Sequence, residues 1–401
     1  MNIDTVGVER SRSFLSLFRR VTANGSFIPE IDGLRFVAIV SVVVFHVAVA
    51  LAIKSPAAYA RPQASFAAAM AWHGFRGVEL FFVISGFILA LPFAAHFLDG
   101  RPRVELSKYF LRRVTRLEPP YLLAMSVLFV LHATVRGSSA AQLWPHFCAS
   151  LVYLHNLIYA AESPINNISW SLEIEIQFYL LVPFLSMLFA IRGRAARRMV
   201  IAGICTASMV LGWLWIAPGD RAYLTILRFT HFFLIGFLLA DVYLLEWRNS
   251  RTRSWTWDAV SIVGWPLLFI TWGGGNGEGE PLLMTLLAPW AVLMLYCAAF
   301  RGRLSNAVIT HPFLTVIGGM CYSIYLLHNP TLAILIDWTR RFAPMRWYGA
   351  NLALQLAITG PALLIPCAAY FLLVEKPCMR RDWPRRLLNR VRPARPAITA
   401  E

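Results

Sequence analysis

Apolar runs of about 20 residues recur along almost the whole of this 401-residue chain. Each run is long enough to cross the hydrocarbon core of a bilayer as one helix. Only 14% of the residues are charged, against about a quarter in soluble domains. The pattern predicts an all-α, polytopic membrane protein with about ten transmembrane helices. The predicted spans are 34–53, 77–98, 119–135, 170–191, 199–217, 225–245, 258–272, 281–300, 313–336 and 350–374.

The basic residues are distributed unevenly between the segments that join these spans. With the N-terminus inside, the inner segments contain 27 lysines and arginines and the outer segments contain 8. Basic residues accumulate in cytoplasmic loops, so both termini are predicted to be cytoplasmic. Topology thus accounts for the net charge of +16, and no nucleic-acid partner is needed to explain it.

Residues 143–160 form a further apolar segment that does not fit this alternation. If the segment crossed the membrane, a strongly basic loop would face outward, so we expect a re-entrant or interfacial element on the outer side. Residues 11–21 suit a short helix lying on the cytoplasmic leaflet. The predicted organisation is an amphipathic, basic cytoplasmic segment at 1–33, a transmembrane domain at 34–377 and a basic cytoplasmic tail at 378–401.

The first predicted span contains two ionisable residues, Arg35 and His46, which are 11 positions apart. At about 100° per residue they fall within roughly 20° of one helix face, separated by about 16 Å along the axis. Arg35 at the mouth is suited to bind a phosphate, and His46 in the membrane interior is suited to act as a general base. The alternative is a snorkelling arginine and a histidine that only packs.

The stretch GLRFVAIVSVVVFHV resembles the Arg-x10-His signature of the membrane-bound family-three acyltransferases. FRGVELFFVISGFILA (75–90) is similar to the family's second-helix motif, with Glu79, Ser85 and Gly86 at matching positions. LRRVTRLEPPYLLA (111–124) resembles its arginine-rich stretch. These motifs follow one another in the order typical of the family, which makes the resemblance specific.

Four later stretches extend the resemblance to almost the whole of residues 30–377. SWSLEIEIQFYLLVPF (169–184) resembles a family motif that often contains two adjacent glutamates. Here Glu175 is followed by isoleucine and Glu173 is an extra acid, and we favour Glu175 as the functional carboxylate. The matching positions in the four stretches are Trp170, Ser171, Glu175, Tyr179, Arg228, Tyr322, Ser323, Tyr325, His328 and Glu375.

The resemblance implies a stand-alone membrane O-acyltransferase without a fused esterase-like domain, located in a bacterial inner membrane. Its donor would be acetyl-CoA or another acyl-CoA, bound through Arg35, Arg112, Arg113 and Arg116. Its acceptor would be a carbohydrate hydroxyl, on lipopolysaccharide, an exopolysaccharide, a glucan or a lipooligosaccharide. His46, Glu79 and Glu175 would be catalytic, with one of the two acids orienting His46. For Glu375, pairing with the arginines of loop 99–118 is expected.

Other functions remain open from the sequence. Ten spans with buried charges also suit a transporter or flippase for a lipid-linked sugar. An acyltransferase that acts on a small secondary metabolite is a further alternative. The six cysteines include no CxxC pair, so no metal site is predicted.

Overall fold

The structure is a computed structural model that describes residues 14–21, 27–59, 65–248, 250, 252–273, 281–345, 347–380 and 383. Helices and their connections make up this part of the chain, and no strand occurs in it. The all-α prediction is therefore confirmed. Of the predicted basic tail, 378–401, the structure describes residues 378–380 and 383, and the rest of the tail lies outside the described residues.

The helices follow one another with short connections. The α-helices are α1 (Pro29–Lys54), α2 (Pro56–Tyr59), α3 (Phe66–Trp72), α4 (Gly77–Asp99), α5 (Leu106–Thr134), α6 (Ala140–Leu151), α7 (His155–Tyr159), α8 (Trp170–Leu185), α9 (Arg194–Trp215), α10 (Ile226–Val242), α11 (Trp255–Gly273), α12 (Leu282–Arg301), α13 (Leu304–Ile309), α14 (Pro312–Gly319), α15 (Cys321–Thr339), α16 (Tyr348–Tyr370) and α17 (Lys376–Cys378). Short 3₁₀ turns lie at Phe14–Phe18, Gly74–Arg76, Asn167–Ser169 and Ser186–Ala190, and π-helical turns at Tyr243–Trp247 and Phe371–Glu375.

Eight helices in the described part are long and apolar enough to cross a membrane. A ninth candidate is the pair α14 and α15, which passes the same test together but is bent by 71°. The remaining predicted span, 258–272, coincides with α11, which has 19 residues but does not belong to that set. The chain is thus a multi-pass membrane protein, and the number of ten spans stays a prediction.

The bend between α14 and α15 brings α15 beside the start of α1. A Cβ atom on Gly318 would lie 1.7 Å from the backbone oxygen of Asp32, so only glycine permits this approach. Gly318 lies near the end of α14, just before α15 begins, and α1 and α15 contribute Arg35 and Cys321 to one cavity. The close contact therefore positions part of the site described below.

Helices α4 and α10 pack against each other through glycines. A Cβ atom on Gly86 would lie 2.2 Å from the backbone oxygen of Phe233, and one on Gly236 would lie 2.4 Å from the oxygen of Val83. Small residues allow helix backbones to approach closely in membranes. Gly86 thus allows α4 and α10 to pack closely, whereas the side chain of Ser85 forms a hydrogen bond within the site.

Segment 143–160, which does not fit the alternation of the predicted spans, forms two short helices, α6 and α7. They are joined through Tyr153, which has a left-handed backbone conformation. The 12 residues of α6 extend about 18 Å, too little to cross a hydrocarbon core of about 30 Å. This agrees with the prediction that the segment does not span.

The N-terminal prediction needs a correction in the described residues. Instead of the predicted short helix over 11–21, the described part of this segment has a five-residue 3₁₀ turn at Phe14–Phe18. Leu15, Phe18 and Val21 pack against the hydrophobic core formed with α14 to α16. These three side chains are therefore partly covered by protein, whereas Leu17 is 50% exposed. Residues 11–13 lie outside the described part.

Candidate active site

A cavity of about 120 Å³ lies between α1, α4, α5, α8 and α15. Each helix turns one face toward it. On α8 the lining residues Ser171, Glu175 and Tyr179 are spaced by four, which places them on one side of a helix with 3.6 residues per turn. On α15, Cys321 and Tyr325 have the same spacing. Motif residues that are far apart in sequence are thus brought together by helix periodicity.

Many of the predicted site residues line this cavity. They are Arg35, Ser85, Arg113, Arg116, Ser171, Glu175, Tyr179, Tyr322 and Tyr325. The apolar wall includes Phe81, Phe82 and Leu117, and Cys321 lies where the family motif has a serine. The cavity is therefore amphipathic, with cationic, acidic and hydroxyl groups set into an apolar wall.

Arg35 is held in place by an acid that the sequence analysis did not identify. Its Nη1 lies 2.5 Å from Oδ1 of Asp32, one turn earlier on α1. The same oxygen accepts a hydrogen bond from Arg20 at 3.1 Å. One buried carboxylate thus faces two guanidinium groups. The signal in the sequence was the i, i+3 spacing of an acid and a base at the start of the first span.

The three arginines of α5 do not act as one group. Arg113 and Arg116 line the cavity. The guanidinium of Arg113 lies 5.7 Å from the ring centroid of Tyr109 and 5.8 Å from that of Tyr179, within the range of cation–π attraction. Arg112 is exposed, and its Nε donates to the backbone oxygen of Lys108. The structure therefore leaves Arg112 outside the cavity lining.

Glu175 is fixed in the cavity wall by two hydroxyl groups. The hydroxyls of Ser85 and Tyr179 each donate to its Oε1 at 2.7 Å. Glu173 is fully buried and faces elsewhere, where its Oε2 accepts from the backbone nitrogen of Asn156 at 2.8 Å. Two residues along a helix point in directions about 200° apart. Glu175 therefore lines the cavity, and Glu173 connects α8 to α7.

Glu79 and Arg228 are not among the residues that line the cavity. Glu79 forms an ion pair with Arg76 at 3.2 Å. The guanidinium of Arg228 stacks 3.6 Å from the ring centroid of Tyr223. These contacts connect the start of α4 and the start of α10 to neighbouring turns, so their role here is to stabilise the fold.

His46 is half-buried on α1 and does not belong to the cavity lining. Its ring centroid lies 5.0 Å from that of Phe45 and 5.0 Å from that of His328. In the described part of the chain, no carboxylate forms a hydrogen bond with His46. Glu175 instead accepts from Ser85 and Tyr179, and Glu79 accepts from Arg76. The residue next to His46 is therefore a second imidazole.

Helix α15 connects the cavity with the histidine pair. Tyr325 lines the cavity, where its hydroxyl lies 3.1 Å from that of Ser171 and also donates to the backbone oxygen of Ile168. His328 lies one turn further along and is fully buried. On α1, Arg35 lines the cavity and His46 lies 11 residues, or about three turns, further along the helix. The two helices pack against each other, so the cavity and the histidine pair are neighbours.

The remaining motif residues support this arrangement, and Glu375, Ser323 and Trp170 do so from outside the cavity lining. Glu375 is fully buried and accepts hydrogen bonds from the backbone nitrogen of Ser323 at 3.0 Å and from its hydroxyl at 2.5 Å. Its expected pairing with the arginines of loop 99–118 is thus replaced by a bond to α15, with Arg116 near enough to act on it electrostatically. Tyr322 donates to the backbone oxygen of Leu117, and Trp170 packs on Phe229.

Comparison with known proteins gives a consistent result over most of the chain. The chain is 27% identical over 387 residues to a Bacillus subtilis protein named putative peptidoglycan O-acetyltransferase YrhL, covering 89% of this chain and 55% of the relative. It is 24% identical over 355 residues to the peptidoglycan O-acetyltransferase OatA of Listeria monocytogenes, covering 83% of this chain and 53% of the relative. The chain thus spans about half the length of these curated relatives. No solved structure matches it.

A family model described as an acyltransferase domain matches residues 28–371, a region that contains every element of the cavity. The match begins just before α1 and ends within the last π-helical turn. It includes Arg35 and Glu175, which line the cavity, and the neighbouring pair His46 and His328. The chain belongs to the membrane acyltransferase family defined by this domain.

Proposed function

We propose that this protein transfers an acyl group from acyl-CoA to a hydroxyl of an extracytoplasmic or lipid-linked carbohydrate. Acetyl is the acyl group that we favour. The observation that supports this best is the convergence of Arg35, Arg113 and Arg116 on one cavity that also contains Glu175. Guanidinium groups bind phosphate oxygens with paired, charge-assisted hydrogen bonds. An anionic donor with an apolar arm suits a cavity of this composition.

The charge balance of the cavity favours an anionic ligand. Within the described residues, neither Arg113 nor Arg116 forms an ion pair, and Arg35 shares Asp32 with Arg20. Buried charges without a partner are costly, so a ligand that supplies negative charge would be stabilised here. The excess of basic residues on the predicted inner side supports entry of the donor from the cytoplasm.

The acceptor is proposed from the relatives and from chemistry. Two relatives are named peptidoglycan O-acetyltransferases, and peptidoglycan offers sugar hydroxyls outside the inner membrane. In the proposed reaction, His46 accepts the proton of an acceptor hydroxyl. The hydroxyl oxygen forms a bond with the acyl carbon, and the carbon–sulfur bond of the thioester breaks. The proton held by His46 then passes to the departing thiolate, so CoA leaves as a thiol.

The proposal is tested with purified full-length protein in lipid nanodiscs, without an ion gradient. Radiolabelled acetyl-CoA is supplied with soluble peptidoglycan fragments, and both CoA thiol release and label on the fragments are measured. The wild type is expected to turn over the thioester, and His46→Ala is expected to lose at least about 100-fold in rate, the range of general-base catalysis.

His96→Ala is the control, because His96 lies near the end of α4 and contacts only the backbone oxygen of Arg101 among its hydrogen-bond partners. The control is expected to keep wild-type turnover. Absence of thioester turnover in the wild type, together with sugar transport by the same protein reconstituted into sealed liposomes, would contradict the proposal and favour a transporter.

A further inference from the structure

The two histidines that meet between α1 and α15 come from distant parts of the chain. The ring centroids of His46 and His328 are 5.0 Å apart, with an angle of 56° between the ring planes. His328 is fully buried, and His46 is half-buried. The proposed reaction uses His46 but leaves His328 without a role.

The hydrogen bonds of His328 determine which of its nitrogens has the proton. Its Nδ1 lies 3.0 Å from the backbone oxygen of Ile324 and 2.8 Å from that of Tyr325. Carbonyl oxygens only accept hydrogen bonds, so Nδ1 must be the donor. In the neutral ring, Nε2 is then an acceptor. This Nε2 is buried and has no hydrogen-bond partner among the described residues.

A second histidine pair in the same protein shows what such a separation permits. Nδ1 of His146 and Nε2 of His155 are 2.8 Å apart, and their ring centroids are separated by 5.1 Å. The centroids of His46 and His328 are at nearly the same separation. The centroid separation of 5.0 Å is thus compatible with a hydrogen bond between the two imidazoles, which a rotation of the His46 ring toward Nε2 of His328 would form.

We propose that His328 is the positioning residue for His46, a role that rests on the proposed function. Its Nε2 accepts a hydrogen bond from one ring nitrogen of His46, so the other nitrogen is left unprotonated and faces the acceptor hydroxyl. When His46 takes the hydroxyl proton, Nε2 of His328 shares the resulting positive charge. This replaces the carboxylate that commonly orients a catalytic histidine. No atom is added to or removed from His328 in the reaction.

Two substitutions of His328 separate this role from simple packing. In His328→Gln the terminal amide lies near the place of Nε2, so its oxygen supplies an acceptor to His46. In His328→Asn the shorter amide lies near the place of Nδ1, so it keeps a donor for the carbonyls of Ile324 and Tyr325 but offers His46 no acceptor. Both variants remove the ring, so packing losses are similar.

The measurement is steady-state turnover of acetyl-CoA by the full-length variants in nanodiscs, with kcat and KM determined separately. We expect His328→Asn to lower kcat about 100-fold and His328→Gln to lower it less than about 10-fold, with KM for acetyl-CoA within about threefold of wild type in both. His231→Asn is the control, because His231 is a buried membrane histidine on α10 that lies outside the cavity lining. It is expected to keep wild-type kcat.

A spectroscopic readout complements the kinetics. In protein labelled with ¹⁵N-histidine, the shifts of the His46 nitrogens, assigned with His46→Ala, are expected to report one tautomer in wild type and in His328→Gln, and a mixture in His328→Asn. Equal kcat values for the two variants, or a higher kcat for His328→Asn, would overturn the positioning role. In that case, turnover of acetyl-CoA by the wild type and by His231→Asn would still support the proposed function.

Discussion

At the scale of single residues, neighbouring motif positions have different surroundings. Glu175 lies in the cavity wall, while Glu173 bonds to the backbone of Asn156. Arg113 lines the cavity, while the adjacent Arg112 is exposed. These differences follow from the rotation of about 100° per residue along a helix. They also provide matched pairs for experiments, since each pair has the same chemistry on one helix.

The two glutamates of α8 are expected to differ in their effect on turnover. Glu175→Gln removes the charge beside Ser85 and Tyr179, and we expect kcat for acetyl transfer to fall about 10-fold or more. Glu173→Gln keeps an oxygen that accepts from Asn156, so its kcat should stay within about twofold of wild type. Initial rates of CoA release from both variants provide the comparison. Equal losses in both would show that Glu175 has no special role.

The arginines of α5 are expected to differ in donor binding. Arg113→Ala and Arg116→Ala each remove a cationic group from the cavity, and we expect the Kd for CoA to rise about 10- to 100-fold, as for the loss of a charged hydrogen bond. Arg112→Ala should leave Kd unchanged. Isothermal titration of nanodisc-embedded protein with CoA measures all three. A comparable loss in Arg112→Ala would mean that CoA binds on the outer face of α5.

At the scale of helices, the site depends on close backbone contacts that glycine permits. Gly86 and Gly236 bring α4 against α10, and Gly318 brings α14 against α1. Membrane helices gain little from apolar burial against each other, so close packing supplies much of their association. The positions of Ser85 and Arg35 in the cavity wall are therefore consequences of contacts made one residue or one turn away.

A methyl group at Gly86 tests this dependence. The Cβ of Gly86→Ala would lie 2.2 Å from the oxygen of Phe233, so the helices must separate, and we expect unfolding free energy to fall by about 1–3 kcal/mol. Gly203→Ala on α9 is the control, because a Cβ atom there meets nothing within 4 Å. Thermal unfolding in detergent, followed by tryptophan fluorescence, compares the two. A midpoint for Gly86→Ala equal to that of the wild type would contradict the packing account.

The sequence predicted the fold class and half of the residues that line the cavity, but not how the elements meet. Apolar runs identified the spanning helices because hydropathy decides membrane insertion. The family motifs predicted that Arg35 and Glu175 belong to one site. The role of Asp32 and the pairing of His46 with His328 were missed, because each depends on a contact between elements. Asp32 bonds to Arg20 as well as Arg35, and His328 approaches His46 only through the bend after Gly318.

At the scale of the whole molecule, the cavity and the histidine pair would define a path into the membrane. Arg35 and His46 are separated by about 16 Å along α1, roughly half of the hydrocarbon core. A donor held at the cavity arginines would extend its pantetheine arm along α1 and α15 toward the histidine pair. The acceptor would arrive from the opposite side. Donor and acceptor would thus meet inside the bundle, without either one crossing the membrane entirely.

The most direct test of this path is a cryo-EM structure of the full-length protein in nanodiscs with CoA bound. The account predicts that the phosphates of CoA contact Arg35, Arg113 and Arg116, and that its thiol extends between α1 and α15 toward His46. Density for CoA on an outer surface of the bundle, or with its thiol directed away from His46, would contradict it.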